Sequence, residues 1–177
     1  MNREQLEHVL RSAAAIADDP DILVIGSQSV LGSIPEHLLP AEAAMSMEVD
    51  LVFLNDPDEQ KTTKVDWHIG EETQFSETNG YYAQGVGLNT ATLPSGWRDR
   101  LVLVQNSNTG LARGWLLDPA DCVVSKLVAG REKDFRFAYA LIGEGLIDPG
   151  VVADRIEMLD VPAPVLRRLR DWIAQAF

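Results

Sequence analysis

Apolar side chains recur at helical spacing from the first residues: Leu6, Val9, Leu10, Ala13, Ala14 and Ala17 line one side, while Arg3, Glu4, Glu7 and Arg11 take the other. That pattern predicts an amphipathic opening helix, halted by Pro20 within "DDPD", residues 18–21. Ile22 to Ile25 form a short apolar run without alternation, as expected of a strand covered on both faces, and Gly26 ends it. "SQSVLGSI" predicts a second short helix, and "PEHLLPAEAAMS", residues 35–46, a loop with a helical turn. Val49 to Leu54 read as the next strand, closed by "NDPDE".

The middle of the chain is less periodic. "KTTKVDWHIGEE", residues 61–72, is compatible with a helix, while five Gly or Pro among residues 73–96 argue for loops and short strands. "RLVLVQ", residues 100–105, alternates as a strand, with "GLARGWLLD", residues 110–118, as its hairpin partner. Beyond Pro119 the pattern is helical to the end, in four segments. Asp118-Pro119 and Asp148-Pro149 serve as helix starts, and Gly130, Gly143 and Gly145 as stops. The expected architecture is α/β: a core over residues 1–118, with a helical portion over 119–177 packed on it as one compact unit.

Composition narrows the function. A hydrophobic fraction of 46% supplies a normal core, and a formal charge of -12 gives a surface that repels nucleic acid on average. The single cysteine, Cys122, sits beside Val123 and Val124 and reads as a buried thiol, with no intrachain disulfide or thiolate metal cluster to make. No signal-peptide core and no membrane-length apolar run is present, so the expected setting is cytoplasmic, away from membranes. His8, His37 and His68 lack metal-ligand spacing, and "RRLR", residues 167–170, reads as a solvated helix face.

Two stretches carry chemistry. Glu48 and Asp50 are two apart, so on a strand both carboxylates leave one face. Held close, they repel unless a cation intervenes, and Mg²⁺ favours such oxygen ligands together with water and phosphates. A solvated edge strand is the alternative; the apolar continuation Leu51 to Leu54 leans toward a central strand. Gly26-Ser27, between a buried strand and a helix, is a place where backbone N–H groups can meet an anion, though no Walker A lysine follows. Lys126 lies within an apolar helix and needs a carboxylate or phosphate partner, unless it snorkels to water. Glu132 and Arg136 form a surface i,i+4 pair nearby. In "NGYYAQGVG", residues 79–87, Tyr81 or Tyr82 either stacks a nucleobase or packs in a turn.

Strand, Gly-Ser, helix, then strand with acid-x-acid resembles the core of the nucleotidyltransferase superfamily, on Ile25, Gly26, Ser27, Glu48, Val49 and Asp50. The gap from Ser27 to Glu48 is longer than that pattern, and its first acid is Glu rather than Asp. "DPADCVVSKLVAGREKDF", residues 118–135, is similar to the Lys-Leu-x-Ala-x-Arg-x-Lys-Asp segment of AbiEii-like nucleotidyltransferase toxins and their relatives. The resemblance implies a small mixed sheet flanked by helices, with Glu48 and Asp50 holding Mg²⁺, Gly26 and Ser27 cradling the phosphates of an NTP, and Lys126 and Asp134 in the active site. It further implies an RNA acceptor and an antitoxin partner. Superfamily members often carry a third carboxylate on a later strand, for which Asp66, Asp99 and Asp118 are candidates. A small-molecule acceptor, an inactive fold serving as a binding module, and a plain interaction protein remain alternatives.

Overall fold

A computed structural model describes residues Met1–Phe177. The opening helix, α1 (Arg3–Ala17), begins at Asn2, whose side chain accepts from the Gln5 N–H while Gln5 returns the bond, a capping box. Its apolar stripe is buried as the periodicity predicts, with one correction: Glu7, expected on the polar side, is buried and accepts from the side-chain amides of Asn106 and Asn108. Paired amide donors stabilise a carboxylate that helical periodicity alone assigns to solvent.

Strand β1 (Asp21–Ile25) leads through a 3-10 turn, Ser27–Gly32, and a short helix, α2 (Ala41–Ala44), into β2 (Glu48–Val52). The long Ser27–Glu48 interval is thus folded against the core; Gln28 donates to the Ser46 carbonyl and closes it. Helix α3 (Gln60–Ile69) follows. The stretch read as loops and short strands holds one more helix, α4 (Gln74–Asn79), before the short β3 (Tyr82–Gly85). Six residues are too few to display a 3.6-residue period, and the Thr73 capping box is what starts α4. Strands β4 (Val102–Val104) and β5 (Arg113–Leu116) pair as the predicted antiparallel ribbon.

The five strands form one mixed sheet in the order β3-β2-β1-β5-β4. β1 is central, antiparallel to β2 and parallel to β5, while β2 and β3 run parallel. The C-terminal helices are α5 (Pro119–Ala129), α6 (Glu132–Gly143), α7 (Pro149–Glu157) and α8 (Ala163–Ala176). One face of the sheet, through Leu23, Ile25 and Val52, shares a core with α5 to α8; the other, through Ile22, Val24, Val49 and Leu51, packs with α1 and α3. Within the first core Asp121 is fully buried between Arg100 and Arg155, an ion cluster that ties α5 to α7 and to the turn before β4.

Candidate active site

Alternation along β2 decides where the acids point. Val49, Leu51 and Ala83 of β3 face the α1–α3 layer, so Glu48, Asp50 and Val52 face the other way. Val52 enters the core beneath α5, whereas Glu48 and Asp50, farther along the same row, open into a cavity of 270 Å³. Its walls include Gly26, Ser27, Ser46, Glu48, Asp50 and Gln84, with Ser125, Lys126, Arg131 and Lys133 from α5 and the start of α6. Five of the six residues singled out from the sequence therefore meet at one opening. The sixth, Asp134, lies fully buried behind it.

The Gly26 turn and the acids are in intimate contact. Ile25 stands opposite Asp50 in the β1–β2 ladder, and Gly26 has φ +71 and ψ -164, a conformation open essentially to glycine alone. A Cβ at Gly26 would lie inside the Asp50 carboxylate, overlapping Oδ2 and within 3.1 Å of Cγ. The turn also accepts from below: the buried Cys122 thiol donates to the Gly26 carbonyl at 3.1 Å. Cys122 is a packing residue whose thiol burial pushes up, away from thiolate.

Burial and the neighbouring Glu48 carboxyl push the Asp50 carboxyl up to about 7, against the opposing pull of Lys126 and Arg131. Two carboxyl groups held on one face of a strand in a part-buried cleft repel each other as anions, and form a donor set suited to a hard divalent cation that would offset that repulsion. Tyr82, in register with Glu48, donates to its Oε2 at 3.3 Å. Tyr81, by contrast, is buried edge-on to Phe75, with its hydroxyl 2.7 Å from His8 Nδ1, and takes the packing alternative.

Lys126 has the carboxylate its surroundings demand. Its Nζ lies 3.5 Å from Asp134 Oδ1 and 4.9 Å from the Phe137 ring centre, with the side chain 16% exposed. Asp134 also accepts from Arg131 Nε at 2.6 Å and from the Arg131 backbone N–H. Burial raises the Asp134 carboxyl, but the Arg131 bonds and Lys126 outweigh it and hold it below the ordinary range. It is an anchor for two cations at the cavity wall. Behind them Arg168, from the stretch read as a solvated face, donates to the Leu127 and Val128 carbonyls and closes the end of α5.

The candidates for a third carboxylate all lie outside the cavity lining. Asp66 accepts from the Gly85 N–H at 2.6 Å, Asp118 caps α5, and Asp99 sits in the turn before β4. The residue in register with Asp50 on β3 is Gln84, an amide. Gln84 is a cavity residue that sequence reasoning did not select, while Arg131 and Lys133, which also line the cavity, are the Arg and Lys of the Lys-Leu-x-Ala-x-Arg-x-Lys-Asp likeness and carry no site role in the sequence reading. Only strand register points to Gln84, and only the α5–α6 bend turns Arg131 and Lys133 inward. None of the three histidines joins a metal-binding cluster.

A family model described as "Nucleotidyltransferase of unknown function (DUF6036)" matches residues 4–166 of the chain. No curated protein and no solved structure matches it.

Proposed function

The chain belongs to this nucleotidyltransferase family, and from that premise we propose that it moves a nucleotidyl group from an NTP to an acceptor hydroxyl with Mg²⁺. The observation that carries the reading is the meeting of Gly26, Ser27, Glu48, Asp50 and Lys126 at one cavity. Glu48 and Asp50 hold the cation, which supplies charge neutralisation and orientation for the triphosphate when bound. Gly26 and Ser27 contact the terminal phosphates through N–H and hydroxyl donors. Lys126, with Lys133 beside it, meets the negative charge that grows on the leaving pyrophosphate as the acceptor oxygen bonds the α-phosphorus. Asp134 acts through Lys126 and Arg131 as a positioning residue, since its full burial keeps it from the acceptor.

The finer reading rests on the likeness of residues 118–135 to AbiEii-like toxins: an RNA end as acceptor, and an antitoxin protein as partner. The charge distribution favours a small RNA footprint, because eight of the 15 Lys and Arg side chains are held in intrachain ion pairs. A nucleotide-binding module without transfer is the second reading, favoured by Gln84 standing opposite Asp50.

Calorimetry with each NTP and Mg²⁺, followed by incubation with α-labelled NTP and total RNA or hydroxyl-bearing small molecules, tests the proposal. Binding and label transfer are expected, both lost in Glu48→Ala and Asp50→Ala. Transfer that survives those substitutions refutes the metal assignment; binding without transfer to any acceptor favours the second reading.

A further inference from the structure

Gln84 stands at the place on the sheet where a third acidic ligand would complete the acid row. Parallel pairing sets Glu48 beside Tyr82 and Asp50 beside Gln84, and paired residues of adjacent strands project from the same face. The Tyr82–Glu48 hydrogen bond shows that face to be the cavity side, and Gln84 itself lines the cavity and is exposed to it. An amide oxygen offers a dipole where a carboxylate offers a full charge. Two divalent cations about 3.5–4 Å apart need anionic ligands on both, because they repel each other strongly at that range. Here the cavity's carboxylates are Glu48 and Asp50 alone, adjacent on one strand, and the far wall carries Lys126, Arg131 and Lys133.

We propose that Gln84 makes this a one-cation site: Glu48, Asp50 and the nucleotide's phosphates hold a single divalent ion, and the position beside Gln84, where a second would sit, is left to the neutral amide. The inference rests on the nucleotidyltransferase reading above and deepens it. Positive charge on the phosphates then comes from that one ion together with the Lys126 wall.

The test uses Mn²⁺ as probe and the α,β-methylene analogues of the four NTPs, which cannot transfer. Equilibrium dialysis first finds which analogue the full chain retains, and electron paramagnetic resonance then counts Mn²⁺ in that complex. The expected result is one magnetically isolated Mn²⁺ per wild-type complex, and two mutually coupled ions in Gln84→Glu, with Gln84→Asp as a second variant. Both variants change an exposed side chain, and circular dichroism confirms that they fold. A coupled pair in the wild type overturns the inference while leaving the nucleotidyltransferase reading intact. One ion in the wild type and in both variants also overturns it, by showing that position 84 does not face a second site. Retention of none of the four analogues refutes the function reading beneath it.

Discussion

Gly26→Ala is the most informative single substitution, because it strikes the contact between the turn and the acid pair. Glycine-only backbone geometry costs another residue about 1–3 kcal/mol, and Gly26 occupies such geometry at φ +71 and ψ -164. The new methyl would also overlap the Asp50 carboxylate, with Asp50 Cγ 3.1 Å and Cβ 3.5 Å from it. Relieving that overlap costs a further ~1–3 kcal/mol, typical of overpacking. A double-mutant cycle separates the two contributions. In an Asp50→Ala background the carboxylate is gone, so Gly26→Ala should cost the backbone strain alone. In the wild type it should cost at least about 1 kcal/mol more, well outside the ~0.3–0.5 kcal/mol within which independent sites add. Urea unfolding measures each corner of the cycle; with slopes of about 1–3 kcal/mol per M, a loss of ~3 kcal/mol moves the midpoint by about 1 M or more. Calorimetry on the same proteins should find Mg²⁺–NTP binding lost in Gly26→Ala, since Asp50 must leave its place. Equal costs in the two backgrounds would refute the close approach, and unimpaired binding would refute the link between the turn and the cation.

Further expectations concern the surroundings of the site. Asp134→Asn removes the charge shared by Arg131 and Lys126; it should cost ~2–3 kcal/mol in urea unfolding, less than the ~3–5 kcal/mol of a fully buried pair because Arg131 can turn to water, and weaken NTP binding at least about tenfold. Arg168→Ala takes an exposed donor from the Leu127 and Val128 carbonyls, which water partly replaces, and should lower stability by ~0.5–1.5 kcal/mol; an unchanged urea midpoint would deny the cap. The hydrogen bonds of Arg113 and Trp115 pull Asp21 down to about 2 in the folded state, from an ordinary 3.8. The stability that Asp21 contributes is therefore complete above about pH 4 and lost as pH falls toward 2, and Asp21→Asn should flatten melting temperature against pH in that window. The Cys122 thiol, buried under the Gly26 turn, should react with a disulfide reagent only as fast as the protein opens; rapid labelling of the native chain would contradict that burial.

The local devices were legible because they act over a few neighbouring residues. Pro20, the two Asp-Pro pairs and Gly130 act on their own backbone, and the apolar run Ile22 to Ile25 declares a strand covered on both sides. The two-residue spacing of Glu48 and Asp50 placed both carboxylates on one face, and the apolar setting of Lys126 called for the partner found in Asp134. Helix α4 escaped notice for want of length, and Glu7 because its two amide partners lie about a hundred residues away.

Sequence by itself determined the order of elements apart from helix α4, the paired acids and the need of the lysine for a counter-charge, since each follows from periodicity or desolvation within one segment. Tertiary structure alone decided what stands beside what. The β2–β3 register set Gln84 opposite Asp50, the β1–β2 ladder pressed Gly26 against that carboxylate, and the bend between α5 and α6 turned Arg131 and Lys133 toward the cavity. Register, close approach and helix packing are properties of segments distant in the chain, fixed by burying two sheet faces at once, and no local pattern encodes them.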